Sequence, residues 1–192
     1  AFLAMLPEVD GLYGVDVGCG EGHNTRLVAG RGGRMVGIDI AERFIEHARA
    51  AEDEQPLGIE YRVASALQIP FGAEHFDFAV AFMSLMDIPT PEAAIAEVFR
   101  VLKDGGFFQC SITHPVTNTW HRRNLRGADG RTYALELGGY FSIEEARIDE
   151  WFFGATPPEL RTQLKPFRVP RFHRTVSGWL NAFVRAGFVL EY

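Results

Sequence analysis

The strongest constraint on how this chain can fold is a short apolar run that ends in an acid and passes into alternating glycines: Val15-Asp16-Val17-Gly18-Cys19-Gly20-Glu21-Gly22-His23-Asn24. Glycine at 18, 20 and 22 removes three side chains where strand gives way to helix. The helix that follows presents unpaired N–H groups and the positive end of its dipole at that point. Bared backbone of this kind suits a nucleotide-type cofactor, and a plain tight turn is the alternative reading of the loop taken alone.

Spacing decides which cofactor. The dinucleotide fingerprint is G-x-G-x-x-G, whereas this loop reads G-x-G-x-G with an acid inside the preceding strand. In that respect it resembles motif I of the class I S-adenosylmethionine (SAM)-dependent methyltransferases. Three later segments are similar to the same family in order and spacing. Tyr61 to Phe71 looks like a third strand with an adenine-contacting turn, and Phe76 to Ala81 like a fourth strand with its leading F-D. Glu97 to Phe107 looks like a helix, a G-G turn and a fifth strand. The likeness covers about residues 10 to 114 and the helix near 175 to 187, and is that of a methyltransferase type 11-like domain.

A second acid, Asp39, ends the next apolar run about twenty residues after the loop, where a Rossmann-like site sets a carboxylate on ribose hydroxyls. The same residue is also placed to cap the following helix, whose apolar positions are Phe44, Ile45 and Ala48. The resemblance implies a SAM site made of Asp16, Gly18, Cys19, Gly20, Gly22, Asn24, Asp39, Ile40, Ser65, Ala66, Leu67 and Phe82. One departure concerns the adenine: the family often carries aspartate where Ser65 stands, and serine accepts more weakly. The backbone N–H of Ala66 is the other expected donor to that ring.

The expected fold is α/β: a Rossmann-like open sheet, mostly parallel, with helices on both faces and a partly β insert after the fifth strand. Alternating strand and helix signals from 13 to 112 support it. Thr90 and Pro91 read as the N-cap and first turn of a helix that Gly105 ends, and a last helix begins near Thr175 and stops at Gly187. A sixth strand is expected from Phe188, and the family's seventh strand is not encoded before Tyr192. The chain reads as a single methyltransferase domain over 1–192, with a core of about 10–114 and 174–192 and an acceptor-side insert of about 115–173. Some sixty residues are too many for a structureless loop. Glu145 to Phe153 and Phe167 to His173 are expected to form a hairpin, joined by a Pro-containing connection at Ala155 to Pro166.

Composition narrows the partners. The formal charge is −6, which argues against nucleic acid. Residues 115 to 174 nonetheless carry ten Lys or Arg against seven acids, net +3, leaving −9 on the remainder. Such an insert is a solvated surface or steers an anionic small-molecule acceptor. No apolar run reaches the ~18 to 20 residues needed to span a bilayer, and no leader is evident, so a cytoplasmic location is expected. The start at Ala1 reads as a trimmed product. Two cysteines support neither a disulfide framework nor a thiolate metal site, and the six histidines lack ligand spacing, so no metal is expected.

In SAM chemistry the sulfonium already activates the methyl group, so a dedicated base is optional. His114, just past the fifth strand, is the candidate for it, with Asp87, His121, Tyr140 and His173 behind. The expected activity is direct in-line methyl transfer to a small molecule. Two other classes stay open: a SAM-binding partner or regulatory protein without catalysis, and a nicotinamide-dependent oxidoreductase. The loop spacing and the lack of a Tyr-x-x-x-Lys signature speak against the last.

Overall fold

The computed structural model describes residues 2–142, 147–152, 157–161 and 163–191. The chain divides into two units, Ala1–Ile112 with Trp179–Tyr192, and Thr113–Gly178.

The first unit is built on five strands, β1 (Tyr13–Val17), β2 (Arg34–Asp39), β3 (Glu60–Val63), β4 (Phe76–Phe82) and β5 (Leu102–Ser111), in the order β3-β2-β1-β4-β5. Every pairing is parallel. Its helices are α1 (Phe2–Met5), α2 (His23–Ala29), α3 (Glu42–Glu54) and α4 (Pro91–Val101), and the last helix below belongs mostly to it. Strand alternation sends Val15, Val17, Val36, Ile38, Ala79 and Ala81 to one face, where they meet Ile95 and Val98 of α4. Met35, Phe78 and Val80 go to the other, against Val28 of α2 and Ile45 and Ala48 of α3. Both faces of the sheet are thus covered, as expected of an open parallel sheet. The leading F-D of β4 has a structural job: Asp77 accepts the Tyr13 N–H at 2.8 Å and pairs with Lys103 at 2.7 Å, joining the starts of β1, β4 and β5.

Some boundaries differ from the sequence reading. The helix begun by Pro91 ends at Val101 instead of near Gly105, because the N–H groups of Glu74 and His75 take the Arg100 and Val101 carbonyls and Leu102 enters the sheet. Thr90 makes no side-chain cap. Residues 188–190 carry no strand, where a sixth was expected.

In the second unit, β6 (His121–Arg126) and β7 (Thr132–Gly138) form an antiparallel hairpin, as do β8 (Arg147–Trp151) and β9 (Phe167–Arg171). The second of these is the expected pair, although residues 145, 146 and 153 lie outside the described residues. So do 155, 156 and 162 of its connection, in which Pro158–Arg161 forms a short helix, α5. The first hairpin was not anticipated. The final helix, α6 (Val176–Ala186), has its first N–H groups met by Thr175 Oγ1, bonded to Gly178 N at 3.0 Å, and by the Tyr140 hydroxyl, which accepts from Val176 N at 2.8 Å. Within the first unit α6 brings Trp179 and Ala182 into the core and stops at Gly187, whose φ of 110° a side chain resists.

Candidate cofactor site

Strand order reverses between β1 and its neighbours β2 and β4, and open α/β sheets bind ligands beyond the carboxyl ends of their strands at such a point. The glycine loop lies there. Gly18, Gly20 and Gly22 have φ of 73°, 56° and 80°, all left-handed, but they are needed for different reasons. A Cβ on Gly18 would fall 2.4 Å from that of Ser84, and one on Gly22 would fall 2.4 Å from the Tyr61 hydroxyl. A Cβ on Gly20 would meet no atom within 4 Å. Two glycines therefore accommodate the protein behind the loop, while the third faces open space.

The loop is held to β2. The N–H groups of Gly18 and Cys19 donate to the Ile38 carbonyl at 2.8 and 3.0 Å, and Gly20 N–H donates to Asp39 Oδ2 at 2.9 Å. Asp39 Oδ1 accepts the Ala41 N–H at 2.8 Å, so the helix-start role and the loop role coexist in one carboxylate. A carboxylate has about four lone-pair directions. Two are used here, leaving two for a vicinal diol. Ile40, which follows Asp39 in the chain, is 75% exposed and Leu67, past the end of β3, is 42% exposed, apolar surfaces of the kind a purine covers. Ser65 spends acceptor capacity locally, since its Oγ takes the Leu67 N–H at 3.1 Å. Asn24 lies partly exposed in the first turn of α2. Phe82 ends β4 with its ring against that of Phe2, centroids 3.8 Å apart.

Asp16 lies under the loop, 1% exposed, with Thr25 Oγ1 donating to Oδ2 at 2.6 Å and Oδ1 unpartnered. Burial pushes its carboxyl up to about 7, against the Thr25 hydrogen bond and with the help of the Asp39 charge. Burial first, and then the neighbouring acids Asp16 and Asp39, push the Cys19 thiol far above its usual range, which makes it a small loop residue and no nucleophile.

Three residues of this region were not singled out by sequence reasoning. The Ser84 hydroxyl donates to the Val17 carbonyl at 2.6 Å, tying the ends of β4 and β1 across the reversal point. Tyr61, 4% exposed, donates to the Gly22 carbonyl at 3.3 Å. Met83 holds φ 55°, a strained conformation for a side chain with a Cβ, with its N–H on Ser111. The only sequence signal for Met83 and Ser84 is their position just after the end of β4, and Tyr61, inside β3, carries none beyond being an aromatic residue in a strand.

In the second unit His114 caps the 3-10 turn Pro115–Asn118: its Nδ1 accepts the Val116 N–H at 3.2 Å, and its carbonyl accepts from Thr117. His173 is 3% exposed, with Nδ1 at 3.0 Å from the Asn118 carbonyl oxygen and Nε2 at 2.7 Å from that of Tyr140. Both nitrogens face backbone carbonyl oxygens of the second unit, which gives His173 a structural role. Tyr140 is engaged at the start of α6, and His121 pairs with Glu136 at 2.7 Å.

Comparison with known proteins shows the family. A family model described as a methyltransferase domain matches residues 15–110, half of the chain. The chain belongs to the class I SAM-dependent methyltransferases. A solved SAM-dependent methyltransferase from Mesorhizobium loti is 30% identical to this chain, with a TM-score of 0.79 over 100% of this chain and 80% of that one. A demethylmenaquinone methyltransferase of Lactococcus lactis is 28% identical over 158 residues, 77% of this chain and 63% of its own length. A 2-phytyl-1,4-naphtoquinone methyltransferase of Thermosynechococcus vestitus is 35% identical over 140 residues, 68% of this chain and 61% of its own. The chain thus spans less than two thirds of the length of these curated relatives. SAM is the cofactor of the family, and the open Gly20, the half-used Asp39 carboxylate and the orphaned Asp16 oxygen fit it.

Proposed function

We propose that this protein transfers the methyl group of SAM to a small-molecule acceptor by direct in-line displacement. The observation that carries the reading is the Gly20–Asp39 pair at the point of strand reversal, open on its outer side. Asp16, Gly18, Cys19, Gly20, Gly22 and Asn24 hold the amino-acid and ribose side of the cofactor in this reading. Asp39 takes the ribose hydroxyls, and Ile40, Ser65, Ala66, Leu67 and Phe82 the adenine side. When bound, SAM supplies a sulfonium-activated methyl group, and the chain has to orient the acceptor and exclude water. His114 is the candidate to take an acceptor proton, at the cost of its hydrogen bond from Val116. The unit that follows β5 in the chain is assigned to acceptor choice. Two relatives are named for quinone acceptors, which makes reduced naphthoquinones the first acceptors to try.

Calorimetry with SAM and S-adenosylhomocysteine, followed by labelled methyl transfer to a panel of reduced naphthoquinones, phenols and small carboxylic acids, tests the reading. Binding of both nucleosides with turnover of at least one acceptor class is expected. Tight NAD binding without SAM binding would replace it, and SAM binding without transfer to any acceptor would favour a regulatory role.

A further inference from the structure

Asp16 is an acid with almost no exposure to solvent. It is the fourth residue of β1, and the ladder sets it beside Gly37 of β2 and Val80 of β4, neither of which carries charge. Only one of its oxygens is bonded: Thr25 of α2 donates to Oδ2, and Oδ1, also buried, has no partner among the described residues. The groups that act on it are the Asp39 carboxylate at the end of β2, the Cys19 thiol in the loop and the Thr25 hydroxyl. The one full charge in that set is negative. A buried carboxylate with an unbonded oxygen and an anion nearby is costly, whereas the neutral acid leaves only one weak acceptor unmet. The upward shift to about 7 agrees with this placement.

We infer that Asp16 senses charge beneath the glycine loop: in mildly acid solution it is neutral in the free protein, ionises when a cationic nucleoside occupies the loop, and thereby favours the sulfonium form of the cofactor over the thioether product. The inference rests on the methyltransferase reading above. On ionisation the O–H bond of Asp16 breaks, its electron pair stays on the carboxylate and the proton passes to solvent, so no co-reactant is needed. Linkage is reciprocal. A ligand that favours the ionised acid must bind more tightly as pH rises through the range where the acid titrates. SAM and S-adenosylhomocysteine share an ammonium and a carboxylate, so the ratio of their affinities isolates the effect of the sulfonium charge. This would ease product inhibition above neutral pH.

The test is calorimetry of the full chain with SAM and with S-adenosylhomocysteine at about pH 5.5 and about pH 8, in buffers of different ionisation enthalpy. The preference for SAM is expected to grow by about fivefold or more between the two. SAM binding at the lower pH should release a proton, and the infrared band of a protonated carboxylic acid should vanish on its addition. Asp16→Asn should flatten the preference with pH and abolish the proton release. A wild-type preference that does not move with pH, or proton release that persists in Asp16→Asn, would overturn the inference. Should Asp16→Asn fail to fold, the wild-type affinity ratio and infrared band decide alone. Failure of either nucleoside to bind at both pH values would instead sink the methyltransferase reading, and this inference with it.

Discussion

The Gly20 N–H donates to Asp39 Oδ2 at 2.9 Å, nineteen residues along the chain, while the other oxygen of the same carboxylate accepts Ala41 N–H. One side chain therefore shapes the loop, starts α3 and keeps lone pairs for a ligand. Asp39→Ala should weaken SAM binding by about 2 to 3 kcal/mol, as the loss of charge-assisted hydrogen bonds predicts. It should also lower the melting temperature. Asp39→Asn, which keeps one acceptor, should recover much of the stability and less of the affinity, as calorimetry and thermal denaturation on the same samples would show.

The three loop glycines should respond differently to alanine. Gly20→Ala adds only the left-handed backbone penalty of about 1 to 2 kcal/mol, since its Cβ meets open space, and on the proposed reading it should also weaken SAM binding. Gly18→Ala and Gly22→Ala add clashes with Ser84 and Tyr61 to the same penalty and should destabilise more. Equal melting temperatures for the three variants would contradict this division.

Glu52 ties α3 to the segment before β3: its Oε1 accepts the N–H groups of Leu57, Gly58 and Ile59, and its Oε2 pairs with Arg26 at 2.6 Å. Burial raises its carboxyl, but those three N–H groups and Arg26 outweigh that and hold it below the ordinary 4.5. Because the folded value is depressed, its contribution is complete above about pH 4.5 and is lost as pH falls through the folded value. Glu52→Gln should cost about 1 to 2 kcal/mol near neutral pH. Acid titrations of the two proteins should converge.

His114→Asn separates capping from chemistry, since an asparagine oxygen can accept the Val116 N–H while removing the titratable ring. If His114 takes the acceptor's proton, kcat should fall about 10²-fold with SAM affinity intact, and the acidic limb of the pH–rate profile should disappear. Unchanged turnover would leave His114 as a cap alone.

His173→Ala should strip the Asn118 and Tyr140 carbonyls of a buried partner and cost the second unit about 1 to 3 kcal/mol. Hydrogen exchange should report faster opening across residues 113–178, with the strands of the first unit protected as before.

Among the sheet strands β2 and β4 were legible as largely apolar runs, whereas β3, Glu-Tyr-Arg-Val, and β5, which opens on Leu-Lys-Asp-Gly-Gly, were placed by their resemblance to the family's segments; Gly18, Gly20, Gly22 and Asp39 were legible because their spacing has a chemical reason. The β6–β7 hairpin was not. His121 to Arg126 is polar and exposed on both faces, so no period-2 burial marks it, and the only signal was Asp129-Gly130 in its turn. The Thr25–Asp16 and Ser84–Val17 contacts were equally hidden, because each joins elements that only the folded sheet brings together. The Thr90 cap failed for a related reason: helix propensity names a residue type, while the local backbone decides whether its oxygen can reach.

The last helix carries a consequence for how the chain comes off the ribosome. Trp179 and Ala182 complete the packing against Val15, Val36 and Ile95, yet the whole of the second unit is translated between Ile112 and them. During that interval the nascent sheet has one face without its final cover, a sticky intermediate that is exposed for as long as synthesis of the intervening segment takes. Lengthening that segment would prolong the hazard, whereas rapid folding of the two hairpins would bring the ends closer and shorten it.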